Sequence, residues 1–178
     1  MDGAPYRIVP IDFAKGENRT PAFLAINPMG KLPTIVHRGV VVTETAAIIA
    51  YIADAFPAAG LAPPPGDVLR GSYYRWLFFG AGCIEPALVD KMLQRPAVER
   101  KSTLGWGSYE DVMATLKGAL AGGPYLLGER FSAADIYVGA QLGWAMKFGA
   151  PGLKGEKVFE DYVARLSARP AARRAAGG

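Results

Sequence analysis

Residues 57–67 read PAAGLAPPPGD, a run in which proline and glycine recur with no helical or strand period. Proline carries no backbone N–H and fixes φ, so neither a helix nor a sheet ladder passes through such a stretch. The chain is therefore divided by its own backbone chemistry. We read 1–58 as one domain, 59–66 as a linker and 67–178 as a second domain.

The two sides differ in period. Before the break, YRIVPID (6–12) alternates bulky residues and predicts a strand, with Pro10 at an edge or bulge. Pro21 after Thr20 predicts a short helix through PAFLAI, and NPMGK reads as loop. PTIVHR and VVVT flank Gly39 as a hairpin. A helix then runs from Glu44 to about Phe56, with Thr43 as its N-cap and Ala46, Ile49, Tyr51, Ile52 and Phe56 as buried candidates. The link from the first strand to PTIV is long enough for a parallel crossover, which makes a small mixed sheet in need of further cover.

After the break everything reads as helix: 67–93 with a kink at Pro86, then about 97–120 weakened at Gly105 and Gly107. The segment FSAADIYVGAQLGWAMKFG opens on a capping signature. Ser132 is the N-cap, Asp135 stands three residues on, and Phe131 and Ile136 are spaced for a hydrophobic staple. A last helix covers about 156–167.

With 51% hydrophobic and 20% charged residues over 178 positions, the chain can bury a sizeable core. No apolar stretch reaches the roughly 20 residues a bilayer span requires, and no secretory leader is evident, so a cytoplasmic protein with no membrane partner is the simplest reading. A single cysteine excludes an internal disulfide and a cysteine-rich zinc site, and with one histidine no metal site is expected. The net charge of +4 is scattered. Its one dense cluster, Arg165, Arg169, Arg173 and Arg174, reads as a solvated helix end and frayed tail, not as a nucleic-acid site.

The chemistry concentrates at the start of the Glu44–Phe56 helix, VTETAAII. The first N–H groups of a helix lack partners, and the macrodipole puts partial positive charge there, so a carboxylate is welcome. The Thr45 hydroxyl adds a donor, and Glu44 can pair with an ammonium group. Together they describe a seat for the α-amino-acid end of a peptide. Pro33, at the head of a strand, leaves the preceding backbone free to pair with an extended ligand.

These residues, as NPMGKLPTI…G…VTETAAIIAYI, closely resemble the N-terminal signature of the cytosolic glutathione S-transferases. YLLGERFSAADI resembles the capping motif of that family's helical domain, and RWLFFGAGCIEPAL its first helix in bacterial members. The resemblance spans residues 6 to 168. It implies an α+β, thioredoxin-like N-terminal domain followed by an all-α domain, a homodimer, and glutathione as ligand or co-substrate. By position, Glu44 and Thr45 hold the γ-glutamyl end and the Leu32 backbone pairs with the cysteinyl part. Pro33 is the cis proline, and Lys31 or Asn27 reaches the glycyl carboxylate.

Family members also carry a strand and a helix ahead of the segment that begins here at GAPYRIVPID, and the loop between them holds the Tyr, Ser or Cys that stabilises the thiolate. No residue of this chain matches that position, so none is assigned the catalytic role. Either the start is internal to a longer protein, favoured because the lost strand leaves an uncovered sheet edge, or the chain is a non-catalytic relative. The implied activity is conjugation of the glutathione thiolate to a hydrophobic electrophile in the full-length form, with weak or absent turnover for these 178 residues. The alternatives are a non-catalytic ligand-binding or dimerisation protein, and a glutathione-dependent disulfide reductase.

Other residues read more simply. Cys83 sits among apolar neighbours with no adjacent base and is expected to line core or pocket. His37 is expected at the surface, with no Ser/His/Asp arrangement. The run Tyr73, Tyr74, Trp76, Phe78, Phe79 divides between core, dimer interface and co-substrate pocket, with Tyr73 or Trp76 assigned to the pocket. Asp135 is a structural cap.

Overall fold

A computed structural model of the chain describes residues 5–177. The first helix, α1 (Pro21–Ile26), starts where the sequence places it: Thr20 Oγ1 accepts the Phe23 N–H at 3.3 Å and Pro21 occupies the first turn. Strands β1 (Ile35–His37) and β2 (Val40–Val42) pair antiparallel with Ile35 opposite Val42 and His37 opposite Val40. Both turn residues have positive φ, 53° at Arg38 and 80° at Gly39, the combination whose twist matches a tight hairpin.

The sheet among the described residues has these two strands alone. Residues 6–12 form no strand, which corrects the reading of YRIVPID. Alternation stabilises a strand only when one face is covered. Here Tyr6, Ile8 and Val9 are all exposed, and Pro10 withholds a donor.

Helix α2 (Thr45–Ala55) begins one residue later than the cap chemistry suggests. Glu44, not Thr43, holds the N-cap position, with φ 63° and its carbonyl accepting the Ile48 N–H at 2.8 Å. The fully buried positions are Ile48 and Ala53; the five positions expected to be buried are only partly so. His37 is not a simple surface residue. Its Nδ1 lies 2.7 Å from the Tyr51 hydroxyl, and its ring packs against Tyr51 and Phe56.

The long helix of the second part is interrupted: α3 (Leu69–Phe79) passes through a π-helical turn, Gly80–Ile84, into α4 (Glu85–Met92). In that turn the Glu85 N–H reaches back five residues to the Gly80 carbonyl. The next residue, Pro86, has no N–H to place, so the wider turn absorbs the proline where a kink was expected. Gln141 Nε2, from a later helix, donates to the same carbonyl at 3.0 Å.

Helix α5 (Tyr109–Leu120) is shorter than its sequence pattern. It starts at Ser108, whose Oγ accepts the Asp111 N–H at 3.2 Å, after Gly107 has taken φ 72°. Helix α6 (Ala133–Lys147) runs through the centre of the molecule, and α7 (Lys157–Ser167) packs along it. The two approach closely because Gly139 has no side chain: a Cβ there would lie 2.1 Å from Leu166 Cδ1. The expected frayed tail is α8 (Pro170–Gly177). Two of its arginine neighbours are engaged: Arg165 donates to the Pro124 carbonyl at 2.8 Å, and Arg169 lies 3.4 Å from the Phe131 ring centroid.

The core gathers α3, α4, α5, α6 and α7, and Ala53 of α2 joins it. The proline-rich segment is tied down on both sides. Arg70 donates to the Pro63 carbonyl and to Asp54 at 2.6 Å, while Arg130 reaches Asp67 at 2.8 Å. At the start of α6, Asp135 is fully buried and accepts four hydrogen bonds. They come from the Ser132 N–H and hydroxyl, the Leu126 N–H and the Tyr162 hydroxyl, at 2.8 to 3.0 Å. Burial pushes its carboxyl above the usual carboxylate range against the pull of those donors. Phe131 packs edge-on to Tyr125, while Ile136 is 42% exposed.

Candidate functional site

The loop from Asn27 to Thr34 is held from beneath. The Asn27 carboxamide is 2% exposed; its Nδ2 donates to the Lys31 carbonyl (2.9 Å) and Thr34 Oγ1 (3.1 Å), and its Oδ1 accepts the Met29 N–H. Asn18 Nδ2 donates to the Gly30 carbonyl at 2.8 Å. Asn27 is thus a brace, not a reaching ligand residue. The loop it fixes presents Lys31 and Leu32 outward, and the Leu32–Pro33 bond is cis. Among the described residues the Leu32 backbone N–H and C=O have no partner.

Facing this loop is the start of α2. The Thr45 amide opens the helix and has no carbonyl one turn back, and its hydroxyl is uncommitted among the described residues. Loop, helix start and α4 enclose a cleft of about 560 Å³, lined by Lys31, Leu32, Pro33, Glu44 and Thr45 on one side and by Glu85, Val89, Trp106 and Tyr137 on the other. The five residues assigned to glutathione from sequence therefore share one cleft. Lys31 and Glu44 form no ion pair among the described residues, whereas Arg95 at the far rim is paired with Asp90 at 2.9 Å.

The aromatic assignments require correction. Tyr73 is 0% exposed and Trp76 3%; both belong to the core and neither lines the cleft. Their helix turns that face toward α6, and the Tyr73 hydroxyl is buried with no partner among the described residues. The cleft takes its aromatic surface from Trp106 and Tyr137 instead. Trp106 stands between two glycines in a loop and Tyr137 two residues past the capping aspartate, and the sequence motifs assign neither to a site. A large aromatic in a glycine-flanked loop is the signal that marks Trp106. Tyr137 is 5% exposed, and burial together with the charges of Glu85 and Glu44 pushes its phenol up to about 12, so it remains a proton donor.

Cys83 lies in the π-helical turn, partly buried, and burial pushes its thiol up, the opposite of what an attacking thiolate requires. Among the described residues no group of three or more His, Cys, Asp or Glu is gathered for a metal ion, and no helix is long and apolar enough to cross a membrane.

A hairpin-bearing α/β part with a braced loop and a bare helix start, followed by a helical part built on a buried cap, defines a two-part ligand-binding fold with its cleft at the junction. Residues 1–54 match the family model for the glutathione S-transferase N-terminal domain, and residues 95–174 that for the glutathione S-transferase C-terminal domain. A glutathione S-transferase of Xanthomonas campestris, GST-4.5, is 28% identical over 171 residues, covering 92% of this chain and 82% of that protein. Among solved structures, a sphingomonad glutathione S-transferase complexed with glutathione is 33% identical with a TM-score of 0.72, over 93% of this chain and 82% of the other. A glutathione transferase homologue from Sulfitobacter with bound glutathione is 28% identical with a TM-score of 0.69, over 96% and 85%. The chain belongs to the glutathione S-transferase family, and its N-terminal part is the thioredoxin-like domain of that fold with a small two-stranded sheet.

Proposed function

We propose that the cleft binds glutathione and that the protein serves its transfer to a hydrophobic electrophile. The observation that carries this is the opposition of two sets of unpaired groups. The Leu32 backbone offers a donor and an acceptor across from the bare start of α2, with Glu44 and Thr45 beside it. An extended peptide whose end bears both an ammonium and a carboxylate satisfies all of them at once: carboxylate on the Thr45 amide and hydroxyl, ammonium on Glu44, peptide amide on Leu32. Lys31 supplies a cation for a second carboxylate. The bound glutathiones of the sphingomonad and Sulfitobacter relatives support the same ligand.

Glutathione supplies the nucleophilic sulfur, which bonds to the electrophilic carbon as the leaving group departs with its electron pair. The contribution of these residues is binding and orientation, which lowers the barrier by holding the reactants in one geometry. Trp106 and Tyr137 give the electrophile a flat apolar wall. In this reading 1–58 is the ligand-binding domain, 59–66 the linker and 67–178 the helical domain of a cytoplasmic homodimer.

Titration calorimetry with reduced glutathione tests the binding step. Saturable heat that is lost on truncating the Glu44 and Thr45 side chains together is the expected result; no binding at millimolar ligand removes the proposal. Turnover of a chromogenic aryl halide then separates an enzyme from a family member that only binds.

A further inference from the structure

Between α4 and α5, residues 93–108 run along the rim of the cleft, and both ends of this segment stand in its wall: Arg95 and Trp106 line it. The first end is fixed. Gln94 takes φ 51°, its N–H bonds to the Lys91 carbonyl at 3.2 Å, and the Arg95 N–H bonds to the Asp90 carbonyl at 2.9 Å, the left-handed stop that closes a helix. The second end is fixed by Gly107 at φ 72° and by the Ser108 cap of α5.

Little holds the span between them. Every residue from 93 to 103 is exposed, and residues 96–99 make no hydrogen bond, main-chain or side-chain, among the described residues. The short turn Lys101–Thr103 is tied to α5 by the Lys101–Asp111 ion pair at 2.9 Å. Those side chains are 63% and 57% exposed, and a pair that exposed contributes little. A segment with solvated backbone and few buried contacts opens and closes at small free-energy cost. The span is also basic: between 95 and 101 stand Arg95, Arg100 and Lys101 against Glu99 alone.

We propose that residues 96–104 are a strap that closes over the cleft once glutathione occupies it, a step that rests on glutathione being the ligand. A ligand shifts a conformational equilibrium only through contacts that differ between the two states. Here the difference is charge and cover. Glutathione carries two carboxylates and one ammonium, so filling the cleft adds net negative charge beside a span with surplus cations. Arg100 and Lys101 swing toward it, Lys101 giving up Asp111, and Val98, 41% exposed in the open strap, exchanges water for the ligand and Trp106. Arg95 is the foot that stays in place, and Gly105, with no side chain, lets the other foot turn beside Trp106.

Hydrogen–deuterium exchange of the full chain, read by mass spectrometry with and without saturating reduced glutathione, tests this. Amides around Leu32 and Thr45 report occupation of the cleft, and those of 97–104 report the strap. Both sets are expected to slow with ligand, the strap by about fivefold or more. In the double variant Arg100→Gln/Lys101→Gln the cleft amides should still slow while the strap exchanges at its ligand-free rate. Both side chains are exposed, so that change leaves the core untouched. Slowing at the cleft alone in the parent chain overturns the strap and leaves glutathione binding standing. Slowing at neither removes both. A strap still protected in the double variant closes without its cations, which overturns the electrostatic closure proposed.

Discussion

The Tyr162 hydroxyl donates to Asp135 Oδ1 at 2.9 Å, joining α7 to the first turn of α6 in a region without solvent. This makes Asp135 more than a helix cap. A cap alone is worth about 0.5–2 kcal/mol. Asp135→Ala also strands the Leu126 and Ser132 N–H groups and the Tyr162 hydroxyl, each a buried donor whose loss of partner costs about 1–3 kcal/mol. We expect a destabilisation above about 3 kcal/mol in urea unfolding, with Tyr162→Phe costing much less because it removes one donor and leaves the other three bonds in place. A loss for Asp135→Ala within the range of a simple cap would mean that those donors find new partners.

The same carboxyl gives a pH dependence of defined sign. Its proton is held to a higher pH in the folded chain than in the unfolded one, because burial raises it from the ordinary 3.8. Its contribution to stability is therefore complete below the unfolded value and declines as pH rises through the folded one. Asparagine has no such titration. The stability difference between the parent and Asp135→Asn, taken from urea midpoints, is expected to be larger near about pH 4 than near about pH 7. A difference that grows toward neutrality would show the reverse linkage.

Tyr73→Phe removes a buried hydroxyl that has no hydrogen-bond partner among the described residues. Burial pushes that phenol up to about 12, so it gains nothing by ionising. Deleting it is expected to leave stability unchanged or raise it by up to about 1 kcal/mol, and to leave ligand affinity alone. A large loss of binding would return Tyr73 to the pocket.

The features legible in the sequence are those whose cause is local. Gly39 takes the positive φ of a tight turn without steric cost, and Ser132 with Asp135 makes a cap within three residues. That Lys31, Leu32, Pro33, Glu44 and Thr45 share one cleft was legible through family pattern together with helix-end physics. What escaped depends on distant segments. YRIVPID alternates properly but has no cover. Thr43 has cap chemistry, yet the chain turns at Glu44 with a left-handed φ that no neighbouring residue announces. The aromatic run on α3 is apolar on every side, so only the position of α6 decides that Tyr73 and Trp76 face inward. Trp106 and Tyr137 reach the cleft from segments far apart in sequence.

Thr45→Val keeps the shape of the side chain and deletes its hydroxyl. If that hydroxyl donates to a bound carboxylate, affinity for reduced glutathione should fall about fivefold, equivalent to about 1 kcal/mol for one hydrogen bond. The unfolding midpoint should hardly move, since the hydroxyl has no protein partner among the described residues. Calorimetry and thermal melting on the same samples decide it; unchanged affinity would place the ligand elsewhere in the cleft.

Gly80 sets the position of Tyr137 in the wall of the cleft. A Cβ on it would lie 2.7 Å from Tyr137 Cε1, closer than real side-chain contacts come, and a tight 3.1 Å from Gln141 Oε1. Neither neighbour yields easily, since the Tyr137 ring is packed and Gln141 is bonded to the Gly80 carbonyl. Gly80→Ala should therefore destabilise by about 1–3 kcal/mol, the range for overpacking a filled site. It should also shift Tyr137 into the cleft and weaken ligands there. The control is Gly82→Ala in the same π-helical turn, where a Cβ meets nothing within 4 Å and helix propensity makes alanine favourable. Equal effects of the two substitutions would mean that the turn itself, and not the contact with Tyr137, is what glycine protects.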